Sequence, residues 1–495
     1  MNTGFSRVVE GGSSPPGQAR RVVLIGHGMA GHRFCEETRR RDPDGSRIAL
    51  TVLSAEPRPA YNRILLPNVL AGVMSEDELS LEEIAGVEVR TATAAVVLDL
   101  DGRTVLTSAG DVIAYDDLVL ATGAVPRIPE IPGADRSVVP LRTAGDARRL
   151  TALAQKARRT HGRIVVLGGG VLGLEAARAL AARGTAVTVV HPGTHLMERQ
   201  LDPAAGRVLA AAVRRTGVDV ELGAGASAWE PGRGLWLTDG RLIRATGMLL
   251  STGTAPEAGL ARDAGLRLTE CGAVAVDDTL TTSDPRVHAI GDCAGHPGAA
   301  AGLVQPGWEQ AATLAGRLTG ASPRDRYRGS TVVTRLKAAG IELTCLGDGL
   351  SEDSDCEILR FDDPARERYA KLVLAGDRVI GALMIGLPDA AAGITQLYDR
   401  DAPAPSDRLA LLLGRALPPE AGGSGPGALP DHAIVCRCNM VTKAALRDAW
   451  YRGATCAREL SAATRAATGC GTCGGDVAAF ATWLAAVDPK EPAHS

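Results

Sequence analysis

Two glycine-rich loops, each set between an apolar strand and a helix, constrain the fold of this chain more than any other feature. The strands read RRVVLI and RIVVL, and the loops that follow them read GHGMAG and GGGVLG. The pattern glycines are Gly26, Gly28 and Gly31 in the first loop and Gly168, Gly170 and Gly173 in the second. Glycines at this spacing let the backbone turn tightly, approach a pyrophosphate and present a helix N-terminus to it. The sequence therefore predicts two α/β units that each bind a nucleotide.

In each unit, the residue at the end of the strand that follows the glycine loop indicates how the nucleotide ribose is bound. After the first loop, the strand IALTVL leads to Glu56, whose carboxylate is placed to accept hydrogen bonds from ribose hydroxyls. After the second loop, the corresponding strand ends at His191. We expect His191 to contact NAD(P)H, although it is neither the acid that favours NAD nor the arginine that accepts a 2′-phosphate. The missing arginine favours NADH, whereas the nearby Arg199 weakens that preference, so the coenzyme stays open.

Length and composition limit the alternatives. A chain of 495 residues suggests about three or four domains. With 45% hydrophobic and 22% charged residues it has a globular balance, and its net charge of -3 offers no basic footprint for nucleic acid. No apolar run approaches the roughly 18 residues that cross a bilayer, and residues 1–20 lack the apolar core of a signal peptide. We therefore expect a cytoplasmic protein with a flexible leader and no membrane or nucleic-acid partner.

Two later turns indicate which nucleotides are bound. YDDLVLATG contains an Ala-Thr-Gly turn, and TTSDPRVHAIGD ends a strand in Gly-Asp. Together with the first loop, these stretches resemble the two-dinucleotide-domain flavoprotein family, in which the first turn closes the FAD domain and the Gly-Asp aspartate contacts the flavin ribityl chain. The resemblance implies an inserted NAD(P)H domain around the second loop. It also implies FAD contacts at Ala121, Thr122, Gly123, Gly291 and Asp292.

Glu175 lies on the helix that follows the second loop. In relatives this position often faces the flavin, and a carboxylate on the exposed helix surface is the alternative. We name no general acid or base, because hydride transfer requires positioning of the nicotinamide against the flavin.

The cysteines divide into isolated residues and two close pairs. Disulfide reductases of this superfamily place reactive thiols against the flavin, but here Cys35 is the one cysteine before Cys271. We expect Cys35 to be a small buried residue and Cys293 to be structural. The flavin then has no thiol relay, and its electrons leave by another route.

Near the C-terminus, Cys436 and Cys438 form CxC, and Cys470 and Cys473 form CxxC. Four thiolates from two loops suit zinc or a 2Fe-2S cluster, and a CxxC pair can also work as a dithiol. The stretches VCRCN and TGCGTCGG, with a long helical interval between them, resemble the bacterioferritin-associated-ferredoxin type of 2Fe-2S domain. The resemblance makes these four cysteines the metal ligands and leaves out Cys456. A cluster also gives the reduced flavin a one-electron outlet, which zinc does not.

Further stretches narrow the resemblance. PAYNRILLPNVLAG, HLMERQLD and LVQPGWEQA resemble the flavoprotein half of the assimilatory NAD(P)H nitrite reductase large subunit and the electron-transfer subunit of assimilatory nitrate reductase. This implies FAD contacts at Arg63 and at a helix N-terminus near Trp308. Because the chain ends shortly after the cysteine pairs, we expect it not to reduce nitrite alone and to serve a separate catalytic subunit.

The predicted fold is α/β: a two-dinucleotide-binding-domain flavoprotein, a small α/β domain and a small helical 2Fe-2S domain. The predicted boundaries are 1–20 for the leader, 21–145 and 266–320 for the FAD domain, 146–265 for the NAD(P)H domain, 325–400 for the small α/β domain, 401–430 for the linker region, 431–485 for the 2Fe-2S domain and 486–495 for the tail.

The predicted function is an NAD(P)H-dependent oxidoreductase with FAD and a 2Fe-2S cluster that passes electrons to a partner reductase, an assimilatory nitrate reductase. The alternative acceptors are ferredoxin, rubredoxin, ferritin iron and a separate nitrite reductase. For the C-terminal domain, a redox-sensing or zinc-stabilised docking module is the non-enzymatic alternative.

Overall fold

The computed structural model describes residues 18–299, 302–338, 340–415, 426–436, 439, 441–469, 471 and 473–488. The chain divides into two units. The first contains the described residues up to Arg63, together with Ser75–Arg127 and Thr254–Thr331. The second contains Ile64–Met74, Ile128–Gly253 and the described residues from Val332 onward. Helices and strands are numbered in chain order through both units.

The first unit is built on a parallel sheet with a helix beside each glycine or Gly-Asp turn. Its elements are β1 (Arg20–Ile25), α1 (Met29–Arg41), β2 (Ile48–Leu53), β3 (Glu88–Arg90), β4 (Ala95–Asp99), β5 (Thr104–Thr107), β6 (Val112–Ala114), β7 (Asp117–Leu120), β8 (Ala124–Pro126), β17 (Thr254–Pro256), α6 (Gly259–Asp263), β18 (Val274–Ala275), β19 (Val287–Ala289), β20 (Ala294–Gly295) and α7 (Val304–Leu318). The parallel sheet has the order β19-β7-β1-β2-β3, and β4-β5-β6 form a separate antiparallel sheet. Its central strands are apolar because both faces are buried.

The second unit contains a matching parallel sheet and two C-terminal subdomains. Its first elements are α2 (Leu66–Ala71), β9 (Val138–Pro140), α3 (Ala144–Arg159), β10 (Arg163–Leu167), α4 (Val171–Ala182), β11 (Ala186–His191), α5 (Pro203–Arg215), β12 (Val218–Leu222), β13 (Ala226–Glu230), β14 (Gly234–Leu237), β15 (Leu242–Arg244) and β16 (Gly247–Leu250). The order β12-β11-β10-β16-β9 is entirely parallel.

The unit boundaries differ from the predicted 145/146 and 265/266 junctions. Strand β9 pairs with β16, which places the segment from Ile128 onward in the second unit. Strand β17 pairs with β8, which returns the chain to the first unit at Thr254. These edge pairings involve three residues each, too few to leave a periodic signal in the sequence.

Residues 64–74 also depart from the prediction, which placed them in the FAD domain. They belong to the second unit, where α2 packs against α3 and α4. Leu66 and Leu70 are buried there. The sequence shows an apolar helical stretch but not the helices on which it packs.

The small α/β subdomain is an antiparallel sheet with two helices of its own packed against it. Its elements are β21 (Val333–Ala338), β22 (Ile341–Gly347), β23 (Glu357–Asp363), β24 (Arg368–Ala375), β25 (Arg378–Ile385), α8 (Pro388–Arg400) and α9 (Arg408–Leu412), with sheet order β21-β22-β25-β24-β23. Helix α9 falls inside the predicted linker region 401–430. Because Leu411 and Leu412 are buried in the core of this subdomain, the linker prediction began too early.

The C-terminal module consists of β26 (Ile434–Cys436), β27 (Val441–Thr442), α10 (Lys443–Tyr451), α11 (Ala457–Thr464) and α12 (Gly474–Val487). Leu446, Trp450, Leu460 and Phe480 form its core. Before β26, Lys443 Nζ donates hydrogen bonds to the carbonyls of Gly427 (2.9 Å) and Leu429 (2.5 Å). The end of the predicted linker is therefore bound to the module, and residues 416–425 lie outside the described residues.

Among the helices described, none is both long and apolar enough to cross a membrane.

Candidate functional site

The first glycine loop has two glycines required by the backbone and one that faces open space. An alanine Cβ at Gly26 (φ +105°) would lie 2.2 Å from the Ala121 carbonyl oxygen, and one at Gly31 would lie 2.1 Å from the Gly26 oxygen. Gly28 caps α1, and among the described atoms its Cβ would meet only Arg63 Nε, at 3.8 Å. The space beside Gly28 and the start of α1 suits a pyrophosphate, so the loop fits FAD.

Two of the predicted FAD contacts, Glu56 and Arg63, lie together beside this loop. Their side chains form an ion pair, and Tyr61 Oη donates a hydrogen bond to Glu56 Oε2 at 2.9 Å. The Arg63 guanidinium lies 4.8 Å from the centre of the Tyr61 ring. The sequence prediction missed Tyr61, which is 2% exposed and holds both charged side chains at the end of β2.

The Ala-Thr-Gly turn packs against the same loop and fixes its position. Ala121 N–H donates to the Ile25 carbonyl at 2.8 Å, which places the turn against Gly26. Thr122 Oγ1 donates to the Glu257 carbonyl, and Glu257 N–H donates to the Gly123 carbonyl at 2.9 Å. Gly123 has a φ of +76°, which favours glycine at this position.

The Gly-Asp turn is fixed by a buried amide that the sequence analysis did not single out. Gln310 on α7 is 1% exposed, and its Oε1 accepts a hydrogen bond from Gly291 N–H at 2.7 Å. Asp292 Oδ1 accepts one from Gly302 N–H at 3.2 Å. A polar residue on the apolar face of α7 was the available signal for Gln310.

The helix N-terminus expected near Trp308 lies four residues before it. Helix α7 begins at Val304, because Pro306 is tolerated in a first helical turn. Trp308 therefore lies in the second turn, where its Nε1 donates to the Met29 carbonyl at 3.0 Å. The Arg33 guanidinium lies 4.3 Å from its ring centre, and Trp308 is 7% exposed. Trp308 thus joins α7 to the start of α1.

Cys35 and Cys293, two isolated cysteines of this unit, are not placed as reactive thiolates. Cys35 is fully buried on α1, as predicted, and burial raises its pKa well above the usual range. Cys293 is also fully buried, and its Sγ donates to the carbonyls of Leu120 (3.4 Å) and Ile290 (3.3 Å). Burial raises the pKa of Cys293 as well.

The second glycine loop repeats the design of the first. An alanine Cβ at Gly168 (φ +120°) would lie 2.1 Å from the Ser251 oxygen, and one at Gly173 would lie 2.2 Å from the Gly168 oxygen. At Gly170, which caps α4, a Cβ would meet no described atom within 4 Å. This loop therefore fits the pyrophosphate of NAD(P)H in the same way.

His191, at the end of β11, turns toward the glycine loop. Gly169 N–H donates to His191 Nδ1 at 3.3 Å, and burial lowers the pKa of the ring.

Glu175 on α4 is 9% exposed, so the alternative of an exposed surface carboxylate is wrong.

The C-terminal module brings together the outer cysteines of its two pairs. Cys436 ends β26 and Cys473 precedes α12, and both are buried. A hydrogen bond from Cys473 is the main cause that lowers the pKa of Cys436 to about 6. A thiol that ionises this readily is a good metal ligand. Cys438 and Cys470 lie outside the described residues.

Asn439 organises the loop around this thiol pair and was not identified from the sequence. Its Nδ2 donates to Cys436 Sγ at 3.7 Å and to the Arg465 carbonyl at 2.5 Å. Cys456 is the N-cap residue of α11. The donor set of soft sulfur atoms with an N–H···S hydrogen bond fits an iron-sulfur cluster.

Two parallel nucleotide-binding sheets, a small antiparallel sheet and a thiol module define a flavoprotein reductase with two dinucleotide-binding domains. The sequence profile of the pyridine nucleotide-disulphide oxidoreductases matches residues 20–313, and the chain belongs to this family. Two further profiles match, the rubredoxin NAD+ reductase C-terminal domain over residues 333–398 and the BFD-like [2Fe-2S] binding domain over residues 434–480.

Curated relatives extend the similarity over most of the chain. The nitrite reductase [NAD(P)H] of Bacillus subtilis (strain 168) is 34% identical over 92% of this chain and 56% of its own length. The assimilatory nitrate reductase electron transfer subunit of the same organism is 31% identical over 92% of this chain and 58% of its own length. The chain thus spans less than two thirds of the length of either relative.

Solved structures share the fold. The NAD-dependent persulfide reductase from A. fulgidus is 25% identical, with a TM-score of 0.69 over 77% of both chains. NADH:rubredoxin oxidoreductase from Clostridium acetobutylicum is 21% identical, with a TM-score of 0.66 over 81% of this chain and all of that one. The predicted fold class, family and cofactors are confirmed: this is an FAD-dependent NAD(P)H oxidoreductase with a 2Fe-2S domain.

Proposed function

We propose that the protein oxidises NAD(P)H and delivers the electrons singly to a separate catalytic subunit, a nitrate reductase of the assimilatory kind. FAD supplies two-electron hydride chemistry, and a 2Fe-2S cluster supplies one-electron transfer. The observation that carries the proposal is the hydrogen bond between Cys436 and Cys473, which brings one thiol of each cysteine pair together on a chain with two nucleotide-binding loops. The named electron transfer subunit of Bacillus subtilis supports the choice of acceptor.

The residues of the first unit hold FAD in this proposal. The loop glycines Gly26, Gly28 and Gly31 bind its pyrophosphate, Glu56 its ribose, and Asp292 its ribityl chain. Arg63 lies close enough to Gly28 to neutralise pyrophosphate charge. The Ala121–Gly123 turn and Gly291 shape the backbone against which the flavin rests, and Trp308 keeps α7 against α1.

The second loop holds the electron donor through Gly168, Gly170 and Gly173. Four thiolates, Cys436, Cys438, Cys470 and Cys473, hold the cluster. Cys35 and Cys293 take no part in electron transfer, since both are buried with raised pKa values. The cluster is therefore the outlet for the flavin electrons.

The test compares three proteins under anaerobic conditions: the unchanged chain, Cys436→Ser and Cys456→Ser. Each is titrated with NADH and with NADPH while flavin and cluster absorbance are followed. Nitrate reduction is then measured with an assimilatory nitrate reductase catalytic subunit. We expect Cys456→Ser to behave as the unchanged chain, and Cys436→Ser to keep flavin reduction but lose partner turnover at least about tenfold. Partner turnover that survives in Cys436→Ser would contradict the proposed path.

Rubredoxin is the second acceptor to test, because the small α/β subdomain matches the rubredoxin NAD+ reductase C-terminal domain. Rubredoxin reduction that is fast and independent of Cys436, with no nitrate reductase turnover, would favour this alternative. Stoichiometric zinc without sulfide would instead favour a docking module.

A further inference from the structure

The segment that follows β11 is fixed against the second glycine loop. The Gly169 carbonyl accepts a hydrogen bond from Met197 N–H at 3.0 Å, and Gly169 N–H donates to His191 Nδ1 at 3.3 Å. Leu196 is buried beneath the loop, where a Cβ on Gly169 would lie 2.7 Å from Leu196 Cδ2. This segment is therefore part of the nucleotide-binding framework.

Met197 turns the segment back toward the end of β11. Its φ is +52°, in the left-handed region that residues with side chains rarely adopt. His195 anchors the segment from the inside, with its Nε2 3.0 Å from the Leu201 carbonyl oxygen. The unusual backbone at Met197 is thus held by contacts on both sides, and the residue after it takes a defined position.

That residue is Glu198, and its carboxylate lies at the carboxyl end of β11. Glu198 Oε2 is 3.7 Å from His191 Nε2. The same oxygen fills the space beside Gly193, where a Cβ would lie 2.1 Å from it. The Glu198 side chain is 49% exposed, so it is accessible to a ligand from solvent.

The position of this carboxylate matches the role that His191 lacks. In dinucleotide-binding sheets of this type, an acid at the end of the second strand accepts hydrogen bonds from the adenosine ribose and disfavours a 2′-phosphate. His191 is unsuited to that role because its Nδ1 binds Gly169 and burial lowers the pKa of the ring. We propose that Glu198 binds the adenosine ribose and selects NADH over NADPH.

The selection has a simple electrostatic basis. The carboxylate accepts hydrogen bonds from the 2′- and 3′-hydroxyl groups of NADH, whereas the 2′-phosphate of NADPH brings negative charge against it. Arg199 is exposed next to Glu198 and is the residue that would reverse this preference if it bound the phosphate. The inference rests on the NAD(P)H oxidation described above and is independent of the electron acceptor.

The test uses Glu198→Gln, which keeps the shape of the side chain and removes its charge, with Arg199→Gln as the matched control. Binding of ADP-ribose and 2′-phospho-ADP-ribose to the FAD-loaded proteins is measured by calorimetry. Flavin reduction by NADH and NADPH is measured in parallel by stopped flow. Because the two ADP-riboses carry no nicotinamide, their affinities report the adenosine site apart from hydride transfer.

In Glu198→Gln we expect the affinity ratio of ADP-ribose to its 2′-phosphate to fall about tenfold, and the effect to shrink at high salt. Arg199→Gln should leave the ratio within about twofold. An unchanged ratio in Glu198→Gln, or loss of 2′-phosphate binding in Arg199→Gln, would overturn the assignment. If neither ligand bound the unchanged protein, the second loop itself would not be a dinucleotide site, and the proposed electron path would fail with it.

Discussion

Tyr369 Oη donates a 2.5 Å hydrogen bond to Asp202 Oδ2, while Asp202 Oδ1 accepts one from Ala205 N–H at 2.8 Å. One carboxylate thereby caps helix α5 and holds strand β24 of the small subdomain. Tyr369 is 1% exposed, and burial and this contact raise the pKa of its hydroxyl. The small sheet is thus attached to helix α5 of the second nucleotide-binding domain by a specific hydrogen bond.

Removing the hydroxyl should weaken this attachment. In Tyr369→Phe we expect the free energy of unfolding to fall by about 1–2 kcal/mol, because Asp202 Oδ2 loses a buried donor. Thermal unfolding followed by circular dichroism measures the change. Tyr451→Phe is the control, since Tyr451 is 60% exposed and its replacement should change stability by less than about 0.5 kcal/mol. Equal effects of the two substitutions would contradict a role for the Asp202 contact.

Substitution of the central glycine of each loop should weaken the binding of one nucleotide only. Gly28→Ala and Gly170→Ala place a methyl group in space that the chain leaves open. We expect Gly28→Ala to lower FAD affinity about tenfold or more, and Gly170→Ala to do the same for NAD(P)H with full flavin content. Flavin absorbance after gel filtration and calorimetry with ADP-ribose check the two effects.

Gly26→Ala provides the contrast, because its Cβ would lie 2.2 Å from the Ala121 oxygen. This substitution should destabilise the first unit even without FAD. If Gly28→Ala reduced the melting temperature of the FAD-free protein as much as Gly26→Ala, the open space beside Gly28 would not be the nucleotide site.

Asn439 should tune the cluster through its contact with Cys436. In Asn439→Ala the sulfur loses an N–H donor, so the reduction potential of the cluster should become more negative. A dye-equilibrated redox titration followed by electron paramagnetic resonance measures the shift. Thr468→Val removes another Asn439 contact, at 3.3 Å, without touching the sulfur, and should leave the potential unchanged. A shift of the same size in Thr468→Val would show that the reduction potential depends on the conformation of the loop and not on the N–H···S hydrogen bond.

His27, inside the first glycine loop, should make stability depend on pH. Burial and, to a smaller extent, His32 lower its pKa to about 4. As the pH falls, the unfolded chain takes up a proton on His27 before the folded chain does, because a histidine in the unfolded chain has a pKa of about 6.5. The contribution of His27 is thus complete above about pH 6.5 and is lost as the pH falls toward 4. Relative to His27→Gln, the unchanged protein should lose about 1–3 kcal/mol across this range.

Urea unfolding between pH 7.5 and 4.5 measures the difference. His432→Gln, at an exposed position, is the control and should follow the unchanged protein. A constant difference between the unchanged protein and His27→Gln at all pH values would show that His27 is not buried as described.

The glycine loops were predictable because their residues are required locally. Gly26 and Gly168 adopt positive φ values and lie against the end of a neighbouring strand, so the local backbone requires glycine at both positions. The cysteine spacing identified two thiol pairs but left zinc and a dithiol open, and the resemblance of VCRCN and TGCGTCGG to a known type of domain favoured the 2Fe-2S cluster. The Tyr369–Asp202 and Gln310–Gly291 contacts were not predictable, because each depends on how separate segments pack. The Asn439–Cys436 contact is local, but it depends on a loop conformation that the residue pattern does not specify.

The exact start of α7 and the start of the linker region were not predicted, for a related reason. The start of α7 at Val304 depends on a proline accepted in the first turn, and α9 is stabilised by burial of Leu411 and Leu412. Glu198 escaped notice because it lies beyond the strand end where a ribose-binding acid is expected. Only the left-handed turn at Met197 returns it to that place.

The contacts of Lys443 define where the cluster module begins as a transferable piece of protein. Its ammonium binds the carbonyls of Gly427 and Leu429 and lies 4.8 Å from the Trp483 ring centre. A gene fragment that starts at β26 would leave this lysine buried without its two acceptors. Fusions that graft the module onto another reductase should therefore join at residue 426, so that the two carbonyl acceptors of Lys443 are included.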